Sequence, residues 1–184
     1  MNRPCDIILS ALAIVISLPV MVLLAVVIVL DSRGPALFMQ DRIGRNGRPF
    51  KIYKFRTMVP DAENKGPLLA VKGDHRVTRA GRFLRRWSLD EIPQLFNIIK
   101  GDMAVVGPRP EIPPLVRTYS AWQKKVLEVK PGLTGFPQVM GRDELDMDRK
   151  IRLDVYYIRR RTFCFDLWIL SRTISTVISG KGAF

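Results

Sequence analysis

Residues 7–30 are apolar at every position except Ser10 and Ser17 and carry no charged side chain. As an α-helix such a 24-residue run would be about 36 Å long, against a hydrocarbon core of about 30 Å. That length predicts a helix embedded in a membrane. A signal peptide would have a shorter apolar region and a small-residue cleavage pattern, which does not precede Asp31-Ser32-Arg33. Pro19, near the middle of the run, removes a backbone hydrogen bond and predicts a kink, and Ser17 can bond a carbonyl that the proline frees. Positive charge flanks the run on both sides, with Arg3 and the terminal amine before it and a dense basic stretch after it. Two topologies fit: a helix that bends at Pro19 and re-emerges on the face it entered, or a kinked ordinary span with a very short outer tail.

Beyond Gly34-Pro35 the periodicity changes. Residues 36–40 and 50–55 read as short strands, and Asn46-Gly47 between them predicts a tight hairpin turn. Residues 59–74, rich in Pro, Gly, Asp and Lys, predict a mobile loop. A helical pattern starts at Arg79, with Phe83, Leu84 and Trp87 apolar among arginines. A second helix begins at Ser88, with Ile92, Leu95, Phe96 and Ile99 as its expected buried stripe. Gly101-Asp102 ends it, and Met103 opens a short apolar run. Residues 115–129 predict a helix, followed by the loop sequence Lys130-Pro131-Gly132-Leu133-Thr134-Gly135. In the last segment Phe163, Leu167, Leu170, Ile174, Val177 and Ile178 share one helical face. Core packing is the expected use of that face, with an interfacial helix on the bilayer as the alternative beside Arg159-Arg160-Arg161.

Composition sharpens this division. The chain has 184 residues, 30 Lys+Arg against 17 Asp+Glu, a net charge of +13 and 47% hydrophobic residues. That apolar fraction excludes a disordered basic tail, and the length excludes a large multidomain enzyme. Residues 1–30 hold one base, Arg3, and one acid, Asp6, so the whole excess sits on residues 31–184. A basic body calls for an anionic partner: nucleic acid, anionic lipid or a phosphate-bearing substrate. Arg42, Arg45, Arg48, Lys51, Lys54 and Arg56 surround the second strand, opposed only by Asp41, and most of these bases suit a solvated surface facing headgroups. Cys5 and Cys164 lie at opposite ends with no metal-ligand spacing and read as free thiols.

Candidate chemistry is narrow. His75 is the one histidine, which excludes a His-based triad or multi-His metal site, and no Gly-rich phosphate loop is present. Carboxylates and arginines remain, densest at Arg85-Arg86-Trp87-Ser88-Leu89-Asp90-Glu91 and Pro108-Arg109-Pro110. Ser88 and Glu91 match a capping box, in which Asp90 would only favour the positive end of the helix dipole. The same residues suit catalysis: apolar neighbours and mutual repulsion split the two acids into an ionised group and a proton acceptor. Arg85 and Arg109 can grip phosphate oxygens, and two arginines, two carboxylates and a divalent ion make a phosphoryl-transfer site. Beside a membrane segment, such a site points to a phosphate-bearing substrate held in lipid.

Five blocks carry a resemblance: Lys51-Ile52-Tyr53-Lys54-Phe55-Arg56-Thr57-Met58, Ser88-Leu89-Asp90-Glu91-Ile92-Pro93-Gln94-Leu95-Phe96-Asn97, Lys100-Gly101-Asp102-Met103, Gly107-Pro108-Arg109-Pro110, and Lys130-Pro131-Gly132-Leu133-Thr134-Gly135. In this order, and with the N-terminal apolar run, the chain closely resembles the bacterial sugar transferase family of small monotopic phosphoglycosyl transferases. The resemblance implies transfer of a sugar-1-phosphate from a nucleotide sugar, usually a UDP-sugar, to a polyprenol phosphate, with release of UMP. It implies Asp90 as the nucleophile of a phosphosugar-aspartyl intermediate, Mg²⁺ at Asp90 and Glu91, and Glu91 as proton acceptor or other aid in the second half-reaction. Arg85 and Arg109 match phosphate-binding positions, and Lys54 and Arg142 match basic positions lining the site.

The architecture so implied is α+β. Residues 1–33 would form a re-entrant membrane helix broken near Pro19. Residues 34–184 would form a mostly helical catalytic domain with a short β-hairpin and amphipathic interfacial helices, on the cytoplasmic face of the bacterial inner membrane. The chain departs from the family pattern at Leu18, where a serine would precede the proline, and at Met140-Gly141-Arg142, where Asn-Gly-Arg is usual. The exposed membrane face leaves a homodimer open. A non-catalytic basic adaptor for anionic lipid or nucleic acid is the competing reading. Nucleic acid is not the expected partner, because the bases are spread among Gly/Pro motifs. A polyprenyl-diphosphate phosphatase is a third.

Overall fold

The apolar run forms a single helix, α1 (Arg3–Asp31), in a computed structural model that describes residues 2–67, 71, 73–141 and 144–179. Helical structure is continuous through Pro19, and the helix would be about 43 Å long. Ser17 does not serve the carbonyl that Pro19 frees, that of Val15. Its Oγ donates to the Ala13 carbonyl at 2.6 Å, four residues back within its own helix.

One face of α1 lies on the rest of the molecule, burying Asp6, Ser10, Met21, Leu24 and Ile28, while Leu12, Val15, Ile16, Val22, Leu23 and Leu30 face outward. Both ends are tied to the same body. Near the start, Arg3 donates to the carbonyls of Ile98 and Ile99, and Asp6 Oδ1 accepts from the Val105 amide at 3.2 Å. At the far end the buried Arg56 guanidinium donates to the carbonyls of Ser32 (2.6 Å), Ile28, Gly34 and Arg33. A cation there matches the partial negative charge of a helix C-terminus. Arg56 is therefore a buried cap on α1 and not a headgroup-facing base.

The predicted hairpin forms as β1 (Leu37–Ile43) and β2 (Pro49–Phe55), antiparallel, with Gln40 opposite Ile52 and Phe38 opposite Lys54. Asn46 and Gly47 take the left-handed backbone their sequence signals. Helices α2 (Arg79–Arg86) and α3 (Gln94–Lys100) follow, then β3 (Ala104–Val106), which pairs in parallel with β4 (Gly132–Thr134). The KPGLTG segment is thus partly strand. The chain closes with α5 (Phe136–Met140), α6 (Met147–Arg160) and α7 (Phe163–Ser179), giving a mostly helical α+β fold. The central core packs Ile52, Leu95, Ile98, Met103, Val106, Tyr157 and Ile169. Each such side chain fully removed from water contributes about 1.5–3 kcal/mol.

Three expectations are corrected. Residues 115–129 are not one helix: α4 (Pro113–Arg117) stops and a 3₁₀ segment (Gln123–Glu128) follows. Between them Thr118 Oγ1 donates to the Leu115 carbonyl and the Ser120 amide donates to Gln123 Oε1, local bonds that compete with a helical ladder. In α3 the buried residues are Gln94, Leu95, Asn97 and Ile98, whereas Phe96 and Ile99 are exposed. In α7, Asp166 and Ile169 face the core while Phe163, Leu167, Ile174 and Ile178 lie outside. Of the loop expected at 59–74, residues 68–70 and 72 lie outside the described residues; beside it Arg76, 3% exposed, grips Asp74 with two nitrogens and donates to the Ala62 carbonyl.

Candidate active site

Two close backbone contacts assemble the site. Gly81 sits so near the Thr57 carbonyl that a Cβ there would approach it to 2.1 Å, so α2 packs directly on the strand exit. This brings Arg85, in the last turn of α2, to Thr57, where its Nε donates to Oγ1 at 2.9 Å. Likewise Gly132 touches the backbone of Gly107, which docks the KPGLTG strand beside GPRP and fixes Arg109.

The acid pair lies on a 3₁₀ turn, Leu89–Glu91. Ser88 before it has φ 54°, a left-handed conformation costly for a residue with a Cβ, and its side chain does not cap the turn. The expected capping box is therefore not formed, and Glu91 is used elsewhere. Its Oε1 accepts from Lys54 Nζ at 2.8 Å and from Arg109 Nη2 at 2.9 Å.

Asp90 is 8% exposed. Burial raises its pKa, and the negative charge of Glu91 adds to this, against the opposing pull of Lys54, Arg85 and Arg109. Glu91 behaves oppositely. Burial is the largest effect on it and would raise its pKa, but Arg109 and Lys54 together outweigh burial and hold it below the usual carboxylate range. Two neighbouring acids thus differ: Glu91 is a fixed anion locked between cations, and Asp90 is the more basic carboxylate.

Lys54, Arg85, Asp90, Glu91 and Arg109 therefore meet as the sequence suggests, lining a cleft of about 1180 Å³ that runs on to Ser17, Thr134 and Thr173 between α1, β4 and α7. Arg142 lies outside the described residues. Among the described residues no three His, Cys, Asp or Glu side chains gather to hold a metal unaided. Such a carboxylate pair suits a cation that completes its shell with substrate phosphates, the usual habit of Mg²⁺.

Sequence reasoning missed several contributors. Asn97 is fully buried. Its Oδ1 accepts from the Tyr53 amide at 2.9 Å and its Nδ2 donates to the Lys51 carbonyl at 2.7 Å, so it pairs with β2 as a strand would and sets the residue before Lys54. Its signals were a single amide inside the apolar run of α3 and its place at the end of the Ser88–Asn97 block. Arg42 donates to the Pro110 carbonyl at 3.0 Å and lies 3.6 Å from Glu111, bracing the GPRP loop. Asp154 stands with Ile151 and Val155 on the buried face of α6, an acid at an apolar position of the helical period.

The family model for the bacterial sugar transferase matches residues 1–180. The chain is 40% identical over 189 residues to a UDP-N-acetylgalactosamine-undecaprenyl-phosphate N-acetylgalactosaminephosphotransferase of Aeromonas hydrophila, covering 99% of this chain and 44% of that protein. It is 38% identical to the undecaprenyl-phosphate galactose phosphotransferase of Salmonella typhimurium over 100% of this chain and 42% of that protein. It is 41% identical to an uncharacterized sugar transferase of Bacillus subtilis over 89% of this chain and 80% of that protein. The chain spans less than half the length of the Aeromonas and Salmonella relatives. With the family model matching residues 1–180, the chain belongs to the bacterial sugar transferase family.

Proposed function

We propose that this chain transfers a sugar-1-phosphate from a UDP-sugar to a polyprenol phosphate, releasing UMP. The observation that carries the reading is the pairing of a buried, comparatively basic Asp90 with Arg85, Lys54 and Arg109 in one cleft. The relatives' names, which specify undecaprenyl phosphate and a sugar phosphotransferase activity, support it.

In the first step an Asp90 oxygen attacks the phosphorus that bears the sugar. A P–O bond to the UMP portion breaks, UMP departs with the bonding electrons, and the sugar phosphate remains on Asp90. In the second, a phosphate oxygen of the polyprenol phosphate attacks the same phosphorus and frees Asp90, leaving a polyprenyl diphosphate sugar. Arg85 and Arg109 hold the charge that spreads over the phosphoryl oxygens. Glu91, depressed in pKa, is suited to orienting Lys54 and Arg109 and poorly suited to taking a proton. A phosphate monoester with a second pKa of about 6 arrives largely deprotonated and needs little help. Mg²⁺ bound by Asp90 and Glu91 would supply charge neutralisation at the diphosphate.

For α1 we infer the re-entrant arrangement on the cytoplasmic face of the inner membrane. Its two ends are bonded to one body, through Arg3 and Asp6 at one end and Arg56 at the other, which favours both on the same side of the bilayer. Its outward apolar residues and those of α7 would contact acyl chains. The test is UMP release from a panel of UDP-sugars in the presence of polyprenol phosphate. Activity with the parent chain and none with Asp90→Asn is expected; no release from any UDP-sugar would overturn the proposal.

A further inference from the structure

The cleft that holds Arg109 is also lined by a polar group that the phosphoryl chemistry leaves unused. Asp154, on α6, is 6% exposed and lines the cleft, yet its Oδ1 is fully buried and has no hydrogen-bond partner. Glu111 and Arg109 are close enough to act on its charge, and Tyr119 senses both Glu111 and Asp154. Glu111 in turn faces Arg42, which is anchored to the Pro110 carbonyl and Gln40. One loop, GPRP-Glu111, therefore presents Arg109 to the acid pair and Glu111 to Asp154.

A buried carboxyl oxygen with no partner is destabilising, and an apolar residue of the same shape would suit the fold better. Burial, with Glu111 adding to it, raises the pKa of Asp154 well above the usual range. Such a group offers hydrogen-bonding capacity that the protein itself does not satisfy. A neutral, hydroxyl-rich ligand would satisfy it without introducing another charge.

We propose that Asp154, with Glu111 beside it, is the subsite that recognises hydroxyls of the nucleotide-sugar donor, one step along the cleft from the diphosphate held at Arg109. This rests on the sugar-transferase reading above. Hydroxyls flank a sugar-linked diphosphate on both sides, on the ribose and on the transferred sugar, and their chemistry at a carboxyl is the same. Asp154 is a substrate-positioning residue here, acting on binding and not on the phosphoryl transfer.

The experiment compares the parent chain, Asp154→Leu, Asp154→Asn and Glu111→Gln with a UDP-sugar that the parent turns over. Asp154→Leu should raise KM at least about tenfold, the scale of a lost hydrogen bond to a carboxyl, while kcat stays within about threefold. The same substitution should raise Tm by about 2–4 °C, because it removes a buried unpartnered group. Asp154→Asn, which keeps an acceptor oxygen, should recover most of the KM. A raised inhibition constant for UMP in Asp154→Leu assigns the ribose, and an unchanged one assigns the transferred sugar. Deoxy donors lacking the assigned hydroxyls should bind the parent and the Leu variant alike. An unchanged KM in Asp154→Leu, or a lowered Tm with every donor affected equally, overturns the proposal. If Asp154→Leu does not fold, Glu111→Gln and the deoxy donors with the parent decide: no KM change in either would contradict it. Because the parent's own UMP release is measured first, failure of this subsite is separable from failure of the transferase reading.

Discussion

Glu91 Oε1 lies 2.8 Å from the ammonium of Lys54 and 2.9 Å from a guanidinium nitrogen of Arg109, so one carboxylate oxygen joins the β-hairpin to the GPRP loop. The Glu91 carboxylate thus sets the positions of both cations. The pair with Lys54 is substantially shielded, with both side chains 16% exposed, so its loss would be felt more than that of the surface pair Lys51–Asp41.

Glu91→Gln is therefore expected to lower the rate of UMP release by about 10²-fold or more, comparable to losing one charge-stabilising group. Some sugar phosphate should still be trapped on Asp90 at long reaction times. Full activity in this variant would show that Lys54 and Arg109 need no anionic partner.

Asn97→Ala removes both of its bonds to β2 and leaves the half-buried Tyr53 amide without its acceptor. Unsatisfied buried groups cost about 1–3 kcal/mol each, so unfolding should be easier by about 2–4 kcal/mol in a denaturant titration. Asn97→Asp keeps the acceptor and should be less harmed at the Tyr53 amide, though it introduces a charge.

Asp154 also makes a prediction about pH. It faces Glu111, Arg109 and Tyr119, and its folded-state pKa is raised. The folded chain then binds its proton more tightly than the unfolded chain does. Its contribution to stability declines as pH rises from about 4 towards the raised folded value and is flat above it. Asp154→Leu should remove that decline from the difference between thermal melts taken at acidic and neutral pH. An identical pH dependence in the two proteins would count against a raised pKa.

Topology is tested at position 2. With Cys5 and Cys164 replaced, Asn2→Cys should stay unlabelled when intact cells meet a membrane-impermeant thiol reagent, and should label once the membrane is permeabilised. Labelling of intact cells would mean a true span.

Much of this was legible in the sequence because local chemistry decided it. Asn46-Gly47 turns the hairpin, Gly101 ends α3 in a left-handed conformation, and the apolar run forms α1. Asp90, Glu91, Lys54 and Arg109 could be named because they stand in recognisable blocks, and Arg85 because it lies in the dense arginine–carboxylate stretch just before one of them. What failed depended on distant partners. Ser88 and Glu91 fit a capping box by spacing, but Glu91 is drawn to Lys54 and Arg109, from elements 37 and 18 residues away. The stripe of α3 was misjudged because Asn97 has β2 to bond, and a buried amide with partners displaces Phe96 outward. In α7 the usual apolar-inside rule misled in part, since Asp166 is bonded within the core by Tyr157 at 2.6 Å beside Ile169, while Phe163, Leu167, Ile174 and Ile178 lie outside. Arg56 read as a surface base until the end of α1 supplied its carbonyls.

The most direct test is mass spectrometry of the chain quenched during turnover with a UDP-sugar and no polyprenol phosphate. The account predicts a mass increase of one sugar phosphate, mapped by peptide fragmentation to Asp90 and absent from Asp90→Asn. Product formation with no adduct at Asp90 at any quench time would contradict it.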